Sequence, residues 1–413
     1  MRVKCLIATR GILVILLVML STNIVHAAIQ EQVLYNFGGV QGDGEQPSGV
    51  LIFDAAGNLY GTTRIGGANE WGTVFELTPN GNGTWTEEVL YSFGSQPHDG
   101  IEPSGALVFD SAGNLYGTTQ SGGTGGFGTV FELTPNGNGS WTESILYSFG
   151  SAPDGNGPTG GLIFDAAGNL YGTTQYGGPY AYGTVFELTP NSNGTWAEQI
   201  LHNFRGFKTD GRYPRAGLVF DAAGNLYGTT FNGGSTYQYG AVFEMTPKTG
   251  GGWNEGLLHS FINNNIDGNY PESKLVLDAA GHLYGTTSLG GPYNGGVVFE
   301  LGRKAGGAWE EVILHDFGTY RSDGGSPIGG VTFNAAGDLV GTTANGGSPH
   351  NYGTVFGMKR KAGGGWEEGV LYSFSEPSNG YSYGLVVDAA GNLYGITYTG
   401  GTYGRGTVFE ITP

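Results

Sequence analysis

The chain has 413 residues, 81 of them glycine, and carries 22 Phe, 24 Tyr and 7 Trp. No G-X-Y period orders the glycines, which excludes collagen, and so many aromatics exclude a disordered chain. With 17 basic against 35 acidic residues the formal charge is −18, a balance that repels nucleic acid and anionic membranes.

Residues 1–27 read as a secretory signal peptide. Arg2, Lys4 and Arg10 form a positive head, and Gly11 to Leu20 is an apolar stretch too short to span a bilayer comfortably. Val25-His26-Ala27 then offers a cleavage site, so Ala28 is the expected first mature residue. Cleavage leaves 14 basic against 35 acidic residues, a formal charge of −21. It also removes the sole cysteine, Cys5, so the mature chain must be held by its core rather than by disulfides. No second hydrophobic segment follows, and the chain stops at Ile411-Thr412-Pro413, just after an apparent strand. A secreted, periplasmic or extracellular protein without a membrane span or sorting tail is the expectation.

From there on the chain repeats itself. D-A-A-G-N-L-Y-G-T-T begins at Asp54 and returns, with variation, at Asp110, Asp165, Asp221, Asp278, Asn334 and Asp388, at intervals of 56, 55, 56, 57, 56 and 54 residues. G-T-V-F-E-L-T-P-like runs start at Gly72, Gly128, Gly183, Gly240, Gly296, Gly353 and Gly406. V-L-Y-S-F-like runs start at Val33, Val89, Ile145, Ile200, Leu257, Ile313 and Val370. Each unit holds four strand candidates, in the first Val50–Asp54, Asn58–Thr63, Thr73–Thr78 and Trp85–Phe93, separated by glycine turns. Seven four-stranded antiparallel units predict an all-β, seven-bladed propeller over residues 28–413 as one domain. The ends decide against an open β-helix. The N-terminus supplies only a fourth strand, Val33–Phe37, and the C-terminus only the first three, so together they close the last blade.

These phrases resemble the Gloeobacter/Verrucomicrobia-type tandem repeat of "choice-of-anchor" bacterial surface proteins, across residues 33–413. The resemblance implies an exported bacterial protein and carries no reaction or catalytic residues with it. With no tail after Ile411-Thr412-Pro413, this chain is expected to depart from that anchored pattern.

With strands A to D numbered from the ring axis outward, the D-to-A and B-to-C loops share one rim. The D-to-A loops carry Asp-Gly-x-x-Pro, with Asp43, Asp99, Asp154, Asp210, Asp267 and Asp323; the seventh has Asn379-Gly380. A ring of carboxylates suits cations or sugar hydroxyls, although one carboxylate per loop makes a weak calcium site. The structural reading is that Asp accepts backbone hydrogen bonds and Gly supplies the turn. B-to-C loops end in an aromatic in five blades: Trp71, Phe127, Tyr182, Tyr239 and Tyr352, with Tyr176, Tyr180, Tyr237, Tyr293 and Tyr403 nearby. Flat rings beside polar groups suit sugar stacking; the competing role is packing between blades. Arg205, Lys208, Arg212 and Arg215 concentrate positive charge in one loop, suited to a carboxylate, uronate or sulfate or else to neutralising an acidic rim. A second basic group, Arg303-Lys304 and Lys359-Arg360-Lys361, falls on the opposite face and reads as solvated. His202, His259 and His315 stand in the Tyr position of V-L-Y-S-F in successive units, too far apart for a shared metal.

No H-E-x-x-H or G-x-S-x-G motif is present. The expectation is therefore a monomeric, non-catalytic propeller without cofactor that binds a glycan or another surface polymer. A polysaccharide lyase or hydrolase using Asp210 and Arg212, and an adhesive platform for a protein partner, are the alternatives.

Overall fold

A computed structural model describes residues 29–206, 209–234, 238–262, 264–318, 322–375 and 383–413. The signal segment, Lys208, Tyr237 and Asn379-Gly380 lie outside them. The described chain is all-β, with seven four-stranded antiparallel sheets arranged as a seven-bladed propeller. Blade 1 runs Gly44–Phe53, Leu59–Gly66, Thr73–Pro79, Trp85–Ser92 as strands A to D. Blades 2 to 6 start at Gly100, Gly155, Gly211, Gly268 and Gly324. Blade 7 is Leu385–Val387, Leu393–Thr397 and Thr407–Thr412, completed by Gln30–Asn36, which pairs antiparallel with the last of these from Gln30↔Thr412 to Asn36↔Thr407. The ring is closed by strand pairing, so the last strand of the chain, Thr407–Thr412, is not left as an unpaired edge.

Strand A is longer than the sequence implies in blades 1 and 2, where the Gly-x-x-Pro segment itself joins the ladder. In blades 3 to 6 it splits. A two-residue ladder such as Gly155–Asn156 with Tyr176–Gly177 forms near the rim, and a short inner strand such as Ile163–Phe164 follows.

The repeated residues explain the blade. In the A-to-B turn Asp54 accepts bonds from the Ala56 and Asn58 amides and from Asn58 Nδ2, at 2.8, 2.8 and 2.9 Å. This side-chain-to-backbone ring is what makes Asp-x-x-Gly-Asn a hairpin. Strand B is anchored to strand C by a buried hydroxyl pair, Thr63 to Thr73 at 2.8 Å. The glycine of L-Y-G-T-T is required by packing: a Cβ at Gly61 would stand 2.6 Å from Phe75 Cζ.

The core lies between blades rather than within them. Tyr60, Val74, Leu90 and Phe93 of blade 1 pack on Leu107, Leu115, Phe131 and Leu133 of blade 2, and the six other interfaces repeat the pattern. The tryptophans that open strand D reach across as staples, Trp196 onto Tyr116 and Trp309 onto Tyr227, at 6.3 and 6.1 Å between ring centroids. Fully burying a core phenylalanine such as Phe93 or Phe131 contributes about 1.5–3 kcal/mol, and the ring repeats that gain at every interface.

Candidate functional site

The two loop sets do share a rim, and backbone bonds between blades hold them there. The carbonyl of Trp71 accepts the Glu102 amide of the next blade, and Phe127, Tyr182, Tyr239, Gly295 and Arg405 accept from Gly157, Tyr213, Tyr270, Ser326 and Gln46. The donors are the second x of Asp-Gly-x-x-Pro and all have positive φ. Because the latch uses only main chain, the side chain at the aromatic position is free to differ, which is why Gly295 and Arg405 occupy it as well.

The aromatic side chains divide. Trp71 is 46% exposed, and so are Tyr176, Tyr180, Tyr293 and Tyr403 to a similar degree. Phe127, Tyr182, Tyr239 and Tyr352 are half-buried against the cores between blades. Tyr352 also stacks on His350 at 5.7 Å.

The basic loop gathers these rings into one cluster over blades 3 to 5. The Arg212 guanidinium lies 5.7 Å from the Tyr182 ring centroid and 5.5 Å from Tyr213, while Arg205 lies 5.9 Å from Tyr180. Tyr213 also meets Tyr176, edge to face at 5.6 Å. Arg215 sits 3.6 Å over Phe231 and bonds Glu272 at 2.9 Å. Phe231 stacks on Tyr270, which meets Tyr239. Neither Arg205 nor Arg212 has a carboxylate partner among the described residues, and Arg212 Nε is buried without an acceptor there.

This cluster borders a central channel lined by the A strands of all seven blades, with a cavity of roughly 1060 Å³. In six of the seven blades the residue after G-T-T, or G-I-T in blade 7, contributes to the wall: Arg64, Gln120, Gln175, Ser288, Ala344 and Tyr398. Arg64 bonds Glu102 at 3.1 Å and takes Tyr398 as a second partner. Lys274 faces the lumen with no acid partner among the described residues, and the protein around it pulls its pKa below the usual lysine value. The sequence reading did not reach these lumen residues. Their signal is a position that varies among the repeats directly after the near-constant G-T-T.

The carboxylates expected on the rim are instead inside. Asp43, Asp99, Asp210, Asp267 and Asp323 are buried, and Asp154 is half-buried. Asp43 accepts bonds from the Gly38 and Gly39 amides and from Tyr35 Oη; Asp99 accepts from the Ser95 amide and Tyr91 Oη. Asp210 takes the Arg205 amide at 2.8 Å, which shapes the basic loop.

Each Asp also meets a glutamate of the next blade, the third residue of the Trp-x-Glu that opens strand D. Burial, with Asp43 and Asp99 adding repulsion, pushes Glu87 and Glu143 up to about 7. Desolvation by burial likewise raises the Tyr35 and Tyr91 hydroxyls far above the ordinary tyrosine value. In three successive interfaces histidine replaces that tyrosine, giving His202, Asp210 and Glu255, then His259, Asp267 and Glu311, then His315, Asp323 and Glu368. Each set brings its ligand atoms within 4.8 Å of one another. The histidines are far from one another, as the sequence implied, but each has acidic company of its own.

On the opposite face the second basic group is not merely solvated. Arg303 bonds Glu244 of the preceding blade at 2.8 Å and lies over Trp309; Arg360 donates to Tyr284 Oη at 2.7 Å and lies over Trp366.

The Gloeobacter/Verrucomicrobia repeat matches residues 23–236 and again 219–413. The chain belongs to the Gloeobacter/Verrucomicrobia repeat family. A search of curated proteins finds no match to this family member. Among solved structures it is similar to virginiamycin B lyase from Staphylococcus aureus, at 14% identity and a TM-score of 0.55, covering 93% of this chain and 99% of that one. It is also similar to PorZ, a bacterial surface component of the type-IX secretion system of Porphyromonas gingivalis, at 16% identity and a TM-score of 0.52, covering 90% of this chain and 47% of that one. At such identities the likeness shows the propeller fold that this repeat family builds. No helix of the described residues is long and apolar enough to cross a membrane.

Proposed function

We propose that this protein is an exported binding propeller whose rim over blades 3 to 5 takes an acidic glycan. The observation that carries this reading is Arg212. It is flanked by Tyr182 and Tyr213 and has no carboxylate partner among the described residues, in a chain with 35 acidic groups. A guanidinium presents paired N–H donors to a carboxylate or sulfate, and the adjoining rings offer flat faces to sugar C–H groups. Trp71, Tyr176, Tyr180 and Arg205 extend the surface along the rim, and Lys274 offers a further cation inside the channel. Lys208 belongs to the same loop by sequence. The signal segment at residues 1–27 supports export.

A cleavage reaction using Asp210 and Arg212 is less well supported, because Asp210 is buried and committed to the Arg205 amide and His202.

The test is calorimetric titration of the purified protein with polygalacturonate, a sulfated glycan and a neutral glucan. Binding of an acidic polymer that weakens about tenfold in Arg212→Gln is expected, with a similar loss in Tyr182→Ala and weakening at high salt. Equal affinity for the neutral glucan, or binding unchanged in both variants, would overturn the proposal.

A further inference from the structure

The three histidine interfaces share a geometry that the tyrosine interfaces lack. At the tyrosine interfaces the hydroxyl donates to the aspartate at 3.0 Å from Tyr35, 2.9 Å from Tyr91 and 3.0 Å from Tyr147, ordinary hydrogen bonds. At the histidine interfaces Nε2 stands 3.2 Å from Asp210, 3.3 Å from both oxygens of Asp267 and 3.4 Å from Asp323. His259 Nε2 is in addition 3.5 Å from Glu311 Oε2. A charge-assisted N–H···O bond closes to about 2.7–2.9 Å, and these contacts have not. Two ligands bound at about 2.0–2.1 Å around a tetrahedral ion lie about 3.3–3.4 Å apart, close to the spacing of each His–Asp pair, and each glutamate completes its set within 4.8 Å.

We propose that these are three divalent transition-metal sites, each formed by one imidazole and two carboxylates, with zinc the ion whose donor set and geometry fit best. Nitrogen and oxygen ligands in a three-residue set leave a fourth position for water. The two carboxylates of each set are drawn together in a half-buried interface, where a dication offsets their mutual repulsion. The Oε1 atoms of Glu255, Glu311 and Glu368 are buried without a hydrogen-bond partner among the described residues. The equivalent glutamates facing tyrosines share that feature, so the histidine is what distinguishes the three sites. The histidine side chains remain 18, 21 and 20% exposed, enough for an ion to enter. Because histidine and aspartate come from one blade junction and glutamate from the strand D of the next blade, a bound ion staples blades 3, 4, 5 and 6 in series.

The test is zinc titration of chelator-treated, dialysed protein by calorimetry, with thermal unfolding in zinc and in chelator. About three equivalents at roughly micromolar affinity or tighter, and a higher Tm with zinc, are expected. His202→Tyr, His259→Tyr and His315→Tyr restore the residue that four other interfaces use, so folding is expected to survive, as circular dichroism checks. Each variant should lose one equivalent, and the triple variant should bind no zinc and show no zinc-dependent Tm. Glu311→Gln should lose one equivalent with the fold intact. No zinc binding by folded wild-type protein, or stoichiometry unchanged in the triple variant, would overturn the proposal.

Discussion

Two arcs of one ring answer the same structural demand with different chemistry. Where blade 7 meets 1, 1 meets 2 and 2 meets 3, a tyrosine hydroxyl donates to the aspartate, and a glutamate from the following blade stands beside it. Between blades 3 and 6 an imidazole takes the hydroxyl's place at the same three-residue junction. The backbone, the tryptophan staples and the aromatic cores are common to both arcs. The fold therefore needs a polar group opposite the aspartate and leaves its identity open. The arc that carries histidine also carries the arginine–tyrosine cluster on its rim, so the departures from symmetry concentrate on one side of the ring.

The tyrosine arc should make stability depend on pH in a characteristic way. Burial, aided by the neighbouring aspartates, pushes Glu87, Glu143 and Glu198 up to about 7. An unfolded glutamate titrates near 4.3. Between those values the folded chain keeps protons that the unfolded chain has released, so stability falls as pH rises through the window and levels off above it. Asp110, Asp165 and Asp221 act at the acid end. Burial would raise them, but bonds from Asn114, Asn169 and Asn225 and the adjacent amides outweigh it and hold them below the usual range. Their contribution is lost as pH drops below about 4. Urea unfolding in chelator should thus show a maximum near pH 5 and a decline towards pH 8, on the order of 2 kcal/mol for each glutamate. Glu87→Gln, Glu143→Gln and Glu198→Gln combined should make the decline shallower. Wild-type stability that rises from pH 5 to pH 8 would show these glutamates to be ionised and break the comparison.

The next largest effect is expected from Asp99→Ala. It strips the Ser95 amide and the Tyr91 hydroxyl of their common acceptor in a buried junction, where Asp99 is 5% exposed. A loss of about 2–3 kcal/mol is expected, read as a lower urea midpoint with unchanged slope. The same protein should keep its affinity for an acidic polymer. An unaffected midpoint together with weakened binding would return the aspartate to the rim as a ligand group.

Particular residues show why the architecture was legible in the sequence and the site only partly so. Asp54 and its counterparts recur about every 56 residues, and a period of that kind with a split terminal unit is enough to count blades and close them. Asp99 was legible as a position but not as an orientation, because Asp-Gly suits an exposed turn and a buried carboxylate equally well. What orients it lies 8 residues earlier, in Tyr91, and in the next repeat, in Glu143. The glutamate of Trp-x-Glu recurs at 87, 143, 198, 255, 311 and 368, with Glu31 in the seventh place, and an acid repeated so strictly on an outer strand was the available signal for a partner across the interface. The rim cluster was legible as charge and rings, since Arg212 and Tyr182 were each visible. Their cation–π contact depends on how neighbouring blades lean together, which no spacing reports.

The smallest stability change, and the sharpest use of the comparison, is to move one interface from the first arc to the second. Tyr91 and Asp99 are 8 residues apart, as are His202 and Asp210, His259 and Asp267, and His315 and Asp323. Glu143 stands at the junction with Asp99, as Glu255 does with Asp210. Tyr91→His therefore rebuilds the histidine set on a scaffold of matching spacing. In chelator it exchanges a 2.9 Å hydroxyl bond for a longer imidazole contact and should cost about 1 kcal/mol. In zinc it should regain that loss and bind one equivalent more than wild type. A variant that folds, loses the same stability with and without zinc and gains no equivalent would mean that the imidazoles between blades 3 and 6 serve only as donors to aspartate.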